Sequence, residues 1–240
     1  MKDQNILLVG SEGLIGDALK RGLNNEAINV ISADIKFSFD KEDKRNFNIN
    51  ITSEKSVERV FSKVNNINSV VICAYPKTPM LGATLDKVSY QDFCENISLH
   101  LGGFFNIMKI AGFYLKSRGG GSIVSLSSIY SKKVPNFSIY EGTNMTMPIQ
   151  YAAAKAGIDQ ISTYFAKYFL KYNVRYNTVN PGGVFDNQDD LFVKKYSELC
   201  GHTGLLSPED LIGIIKLLID EKNSFITGQS FFIDDGFSLK

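Results

Sequence analysis

The sequence predicts a single three-layer α/β domain built on a doubly wound parallel sheet. Three observations carry that expectation. Short β-branched and apolar runs alternate with helical patterns roughly 12 to 25 residues long. The strand runs are apolar at successive positions, which is what a parallel sheet covered by helices on both faces requires. A length of 240 residues fits one such domain and is short for two.

Taken in order, residues 6–9 form the first strand, and a glycine-rich turn leads into a helix near 14–23. Residues 28–33 are the second strand, ending at Asp34, and 47–51 a weaker third. A helix over 53–63 has Ser53 as its cap, a residue type whose hydroxyl accepts from a first-turn amide. Residues 69–73 are a buried strand, 89–116 a long helix, and 122–126 another buried strand. A helix over 151–172, a strand over 174–179, a helix over 208–220 and a last strand over 230–233 complete the chain. Repeats, low-complexity tracts and linkers are absent.

Hydrophobic residues at 44% and charged residues at 21% exclude disordered and fibrous classes. With 26 Lys and Arg against 25 Asp and Glu, the net charge is +1, and there is no basic run to bind nucleic acid. The three cysteines, Cys73, Cys94 and Cys200, are odd in number and widely spaced; with only His100 and His202 beside them, no metal-ligand cluster is expected. No apolar run is long enough for a signal-peptide core or a membrane span. Reduced thiols and a cytoplasmic location are the expectation.

In a doubly wound sheet, ligands collect beyond the carboxyl ends of the strands. Gly10-Ser11-Glu12-Gly13-Leu14-Ile15-Gly16 directly follows the first strand and opens a helix. Glycines there permit a tight turn and close approach to a pyrophosphate, and the helix N-terminus favours its charge. Asp34, ending the second strand, can accept hydrogen bonds from an adenosine ribose and repels a 2′-phosphate. Glu12 adds to that repulsion and Lys36 opposes it, so NAD(H) is expected over NADP(H). Tyr151 and Lys155 stand four apart on one helix face, where an ammonium lowers the phenol's pKa towards a working range. After the strand over 122–126 come Ser127 and Ser128, either of which can hydrogen-bond a reacting oxygen.

Together these residues resemble the short-chain dehydrogenase/reductase family, whose fold is the Rossmann-type doubly wound sheet. The resemblance also rests on Gly119 to Ser128, on Asn180-Pro181-Gly182-Gly183-Val184, and on Ile226-Thr227-Gly228-Gln229 with Asp234-Asp235-Gly236. It implies Tyr151 as general acid/base, Lys155 as the group that lowers its pKa and holds the nicotinamide ribose, and Ser128 as the group that orients the substrate oxygen. Pro181, Gly182 and Val184 would contact the nicotinamide end, and Cys73, Ala74 and Tyr75 stand where the family has Asn-Ala-Gly. Asn50 and Ile51 replace the family's Asp-Val pair at the adenine. The loop carries Gly13 one place earlier than the commoner pattern, beside Leu14 and Ile15. The family's catalytic asparagine falls at His100, with Asn96 one helical turn earlier; His100, Asn96 or neither takes its role.

The interval from Ser128 to Tyr151 is longer than the family's usual one. Tyr140 would shorten it but has Asn144, not a lysine, four residues on, so Tyr151 is the candidate and an insertion over about 134–150 is inferred. Its hydroxyls and amides suit a polyhydroxylated substrate. A second segment, about 184–204, is a candidate lid. With Pro181 to Gln188, the insertion is similar to the flagellin modification protein A group of bacterial dehydrogenases, linked to nonulosonic sugars such as legionaminic acid. That resemblance implies an activated or phosphorylated sugar substrate and, for the family, a tetramer or dimer through the two long helices. Two other readings stay open: a 3-oxoacyl thioester reductase, and a non-catalytic NAD-binding regulator or scaffold.

Overall fold

A strand whose successive side chains are all apolar has to be covered on both faces. A computed structural model, which describes residues 4–26 and 28–239, shows how β1 (Asn5–Val9) meets that demand. Leu7 and Val9 enter one hydrophobic cluster with Phe104, Ile107 and Met108; Ile6 and Leu8 enter another with Leu19, Ile215 and Leu218.

The chain continues as α1 (Leu14–Asn25), β2 (Asn29–Asp34), β3 (Asn46–Asn48), α2 (Glu54–Lys63), β4 (Ser69–Ile72) and α3 (Tyr90–Ser117). Then follow β5 (Gly121–Leu126), α4 (Ile149–Phe169), β6 (Val174–Pro181), α5 (Asp190–Ser197), α6 (Ile212–Ile219) and β7 (Ser230–Ile233). The seven strands pair in the order β3-β2-β1-β4-β5-β6-β7, every pairing parallel. Helices α2, α3 and α4 cover one face, and α1 and α6 the other. The chain builds outward from β1 to β3, then reverses to add β4 beside β1. The carboxyl ends of β1 and β4 therefore flank the topological switch point.

Local chemistry explains most boundaries. Ser53 caps α2 by accepting from the Ser56 amide, and Ser89 opens α3 in a reciprocal box with Asp92. The third strand is shorter than expected. After Asn48, the Asn50 side-chain oxygen accepts from the amide and hydroxyl of Thr52 and turns the chain, so Ile51 lies outside β3. The single helix expected over 208–220 is a 3-10 turn, Pro208–Leu211, held by a Ser207–Asp210 box, followed by α6. Helix α4 starts at Ile149, before Tyr151, and β6 runs on to Pro181.

Helix α5 lies inside the segment read only as a candidate lid. Asp189 caps it, accepting from the Leu191 amide. Its Phe192 and Tyr196 pack with Ile139 and Tyr140 of the insertion and with Phe237, forming a third, smaller apolar cluster. Tyr196 stacks on Phe237, with centroids 4.2 Å apart. Among the described residues, no helix is long and apolar enough to cross a membrane, and no group of three or more potential metal ligands is present.

Candidate active site

The switch point opens into a cleft of about 1020 Å³. Gly10 turns off β1 with φ +85°, and its amide donates to the Ala33 carbonyl at 2.8 Å. A Cβ there would collide with the backbone of Cys73 and Ala74, so this glycine is required on both counts. Gly16 packs on Gly10 just as closely, whereas a Cβ on Gly13 would meet only the Gly10 oxygen, at 3.5 Å. Gly13 is the N-cap of α1, and no side chain caps that end. Gly13, Leu14 and Ile15 line the cleft, at a helix start whose first amides have no intrahelical partner.

Asp34 is buried at the end of β2, and both its oxygens are fixed: Oδ2 accepts from the Glu12 amide and Oδ1 from the Lys36 amide, each at 2.9 Å. Glu12 pairs with Lys20 at 2.6 Å, so the charge set against a 2′-phosphate in the sequence reading is already matched. Lys36 reaches the Glu12 carbonyl at 2.8 Å. Asn50, Ile51, Cys73, Ala74 and Tyr75 line the same cleft.

At the other end, β5 and β6 deliver the remaining candidates. Ser127 and Ser128 separate: the Ser127 hydroxyl donates to the Lys155 backbone carbonyl at 3.1 Å, while Ser128 hydrogen-bonds the Tyr151 phenol. Burial pushes the Tyr151 phenol above its ordinary value, and the Ser128 hydrogen bond pulls the other way. Lys155 is buried, with Nζ donating to the Leu126 carbonyl at 2.8 Å and lying 5.5 Å from the Tyr151 ring centre. Burial draws its ammonium down to about 8, against smaller upward pulls from Cys73 and Asp159. Pro181, Gly182 and Val184 line this end; Gly182 donates to Ile233 at 2.8 Å, and the Gly183 amide to the Tyr196 hydroxyl at 2.6 Å.

His100 and Asn96 are both fully buried on α3. The His100 ring sits edge-on to Tyr75 at 4.9 Å and 6.4 Å from Tyr151, and neither ring nitrogen has a hydrogen-bond partner. Burial, and then the Lys155 charge, draw its pKa to about 2, so it is neutral. Asn96 turns to the Thr78 hydroxyl at 3.2 Å. His100 is therefore the one beside Tyr151.

Tyr140 also faces the cleft, but its hydroxyl meets that of Tyr130 at 3.2 Å and its ring packs on Phe192. The insertion is less polar where it faces the cleft than its composition implied. Asn136 and Thr143 bond within their own turns, to Ser138 and to Tyr140 and Met145. What the insertion offers the cleft is Tyr140, Met145, Thr146 and Met147. Phe192 and Tyr196 of α5 add two lining residues absent from the sequence reading. Their i, i+4 spacing behind the Asp189 cap was the available signal.

A family model described as enoyl-(acyl carrier protein) reductase matches residues 23–238. The flagellin modification protein A of Campylobacter coli is 33% identical over the full length of both chains. The chain belongs to the short-chain dehydrogenase/reductase family. A short-chain dehydrogenase of Leptospira borgpetersenii, solved with bound NAD+, superposes with a TM-score of 0.86 at 28% identity, covering 99% of this chain and 94% of the other. The 3-oxoacyl-(acyl-carrier-protein) reductase of Thermotoga maritima is 26% identical over 96% of each chain. As a short-chain dehydrogenase/reductase, the protein is an NAD(P)-dependent oxidoreductase, and its seven-stranded sheet is of the Rossmann type.

Proposed function

We propose that the chain interconverts a secondary alcohol and a ketone on an activated or phosphorylated sugar, using NAD(H), in the making of a flagellin or surface glycan. The observation that carries the chemistry is the convergence of Ser128, Tyr151 and Lys155 at one end of the cleft. The 33% identical flagellin modification protein supports the pathway, and the NAD+ in the Leptospira structure, together with buried Asp34, supports the cofactor. The cleft suits a dinucleotide. Gly10 and Gly16 hold the turn tight, Gly13 leaves room for close approach, the open N-terminus of α1 suits a pyrophosphate, and Asp34 stands where it can accept from ribose hydroxyls.

A bound nicotinamide supplies or accepts the hydride; the chain does the rest. In reduction, Tyr151 Oη gives its proton to the carbonyl oxygen while Ser128 holds that oxygen. The raised pKa keeps Tyr151 protonated beforehand, and the Lys155 cation stabilises the phenolate left behind. Oxidation runs the same groups backwards. His100 takes the place of the family's asparagine beside Tyr151. Tyr75, Tyr140, Phe192 and Tyr196 offer ring faces and hydroxyls to a pyranose, with 134–150 and 184–204 forming the cover over the substrate. A cytoplasmic setting, where NAD(H) is available, goes with this reading.

Absorbance at the NADH band tests it, with sugar phosphates and nucleotide sugars plus NAD. Turnover that Tyr151→Phe abolishes is the expected result. The second reading, a 3-oxoacyl thioester reductase, is favoured by the Thermotoga relative and would show instead as NADH consumption on a 3-oxoacyl thioester alone. The long helices leave Phe105, Phe113, Tyr164 and Tyr168 exposed, while Phe104, Phe165 and Phe169 are core. That aromatic face is the proposed homo-oligomer contact, and a monomer mass by light scattering at micromolar concentration would sink it.

A further inference from the structure

One turn of α4 beyond Lys155 lies a buried carboxylate that this chemistry does not use. Asp159 is 5% exposed. Its Oδ2 accepts from the Ser131 hydroxyl at 2.8 Å, the Asn180 amide at 2.9 Å and the Ser230 hydroxyl at 3.3 Å. Its Oδ1, equally buried, has no hydrogen-bond partner. Among the described residues no cation forms an ion pair with it. A buried, half-satisfied anion is costly, and an amide of the same shape would accept the same three hydrogen bonds at less cost. The hydrogen bonds alone do not call for a charge.

Lys155 does. The ionisable groups facing it come from the segment after β4, from α3 and from α4. Cys73, after β4, has its thiol pushed up to about 12 by burial and is neutral. Tyr75 and, on α4 itself, Tyr151 are likewise pushed up by burial and neutral. His100, on α3, carries no charge above a pKa of about 2. Asp159, one turn on along α4 and equally buried, is the carboxylate left to act on the ammonium. It is also tied to the reaction centre mechanically. The Asn180 amide that donates to Asp159 lies 3.0 Å from the Ser128 carbonyl and 2.7 Å from the Ser131 hydroxyl, linking α4, β6 and the segment after β5.

We propose that Asp159 is a positioning residue: its carboxylate supplies the buried negative charge that balances Lys155 and, through Asn180, fixes the backbone of Ser128. The assignment rests on Ser128, Tyr151 and Lys155 being the reacting set. An amide at 159 preserves the hydrogen bonds and deletes the charge, which separates the electrostatic role from a structural one.

The test is a pH titration of the Lys155 side chain by NMR in the full chain labelled with ¹³Cε-lysine, its resonance assigned with Lys155→Met. In Asp159→Asn the midpoint falls by about half a unit or more, whereas Asp159→Glu stays near wild type. Asp159→Ser is a second neutral variant should the asparagine fail to fold, with the same fall expected. Equal midpoints in wild type and either folded neutral variant, or equal shifts in the neutral variant and Asp159→Glu, overturn the proposal. NADH binding and sugar turnover by the wild type are measured separately. Their failure would sink the sugar dehydrogenase reading and leave the titration result standing.

Discussion

Gly16 packs so closely on Gly10 that a Cβ at position 16 would overlap the carbonyl group of residue 10. The first turn of α1 is in effect laid onto the loop that precedes it. Gly13, between them, has an extended φ of −89°, and a Cβ there would make only an ordinary contact with the Gly10 oxygen, at 3.5 Å. Two glycines of the motif are therefore structural necessities, and the third leaves room for a ligand.

Gly16→Ala and Gly13→Ala should accordingly part company. Overpacking at 16 costs about 1–3 kcal/mol, a fall in Tm of at least about 2 °C by differential scanning fluorimetry. Gly13→Ala, a poorer N-cap by about 0.5 kcal/mol, loses less Tm than Gly16→Ala, and its main loss is in NADH affinity. Equal Tm losses in both variants would refute the assignment.

Lys155 makes stability depend on pH with a definite sign. Its folded pKa is about 8 against an ordinary 10.5. Below 8 both folded and unfolded states hold the proton, and the folded state bears the whole cost of burying the ammonium. Between 8 and 10.5 the unfolded chain keeps a proton that the folded one has released, so stability rises with pH. Lys155→Met lacks this dependence. Its stability relative to wild type therefore falls by on the order of 3 kcal/mol as pH climbs through that window. Urea denaturation at pH 7 and pH 10 checks it; a constant difference would be the contrary result.

These two cases also show what a sequence discloses. The sheet was legible because strands buried on both faces, such as Ile6 to Val9, leave an unbroken apolar run. Asp34 and the Tyr151–Lys155 pair were legible because a strand end and a helical turn fix their spacing. What escaped was decided by distant partners. The hydroxyls and amides of the insertion looked like substrate ligands, yet Asn136 and Thr143 spend their bonds on their own turns. The eight-residue α5 is too short and polar to stand out, and only packing against Tyr140 and Phe237 gives its Phe192 and Tyr196 a role. The split between Ser127 and Ser128 needed the α4 backbone, which accepts the first and leaves the second to Tyr151.

Asp34 controls cofactor choice if the adenosine ribose lies against it. Because Lys20 already matches Glu12, Asp34 is the carboxylate left to reject a 2′-phosphate. Asp34→Ser should therefore gain NADPH affinity and lose NADH affinity, moving the ratio of the two Kd values by about tenfold or more. Fluorescence titration with each reduced cofactor reads it directly. An unchanged ratio would place the ribose elsewhere.

The loop that follows α5 has its own anchor. Asp235, at φ +49°, accepts at Oδ2 from the amides of His202, Thr203 and Gly204, at 2.8, 2.5 and 2.9 Å. Those amides, Gly204's foremost, hold its carboxyl below the usual range. Such a clamp is present above the ordinary carboxylate pKa and is lost only as pH falls through the lowered one, so it is fully engaged at neutral pH. Asp235→Ala removes the acceptor from three adjacent amides and should loosen the loop that follows α5, with cleavage by a nonspecific protease near residues 201–204 at least severalfold faster. Because α5 carries Phe192 and Tyr196 into the cleft, the same change raises KM more than it lowers kcat. Asp235→Asn retains one acceptor oxygen and falls between the two. Were the alanine variant to resist the protease as well as wild type, the loop would be held by the Tyr196–Phe237 stack and not by Asp235.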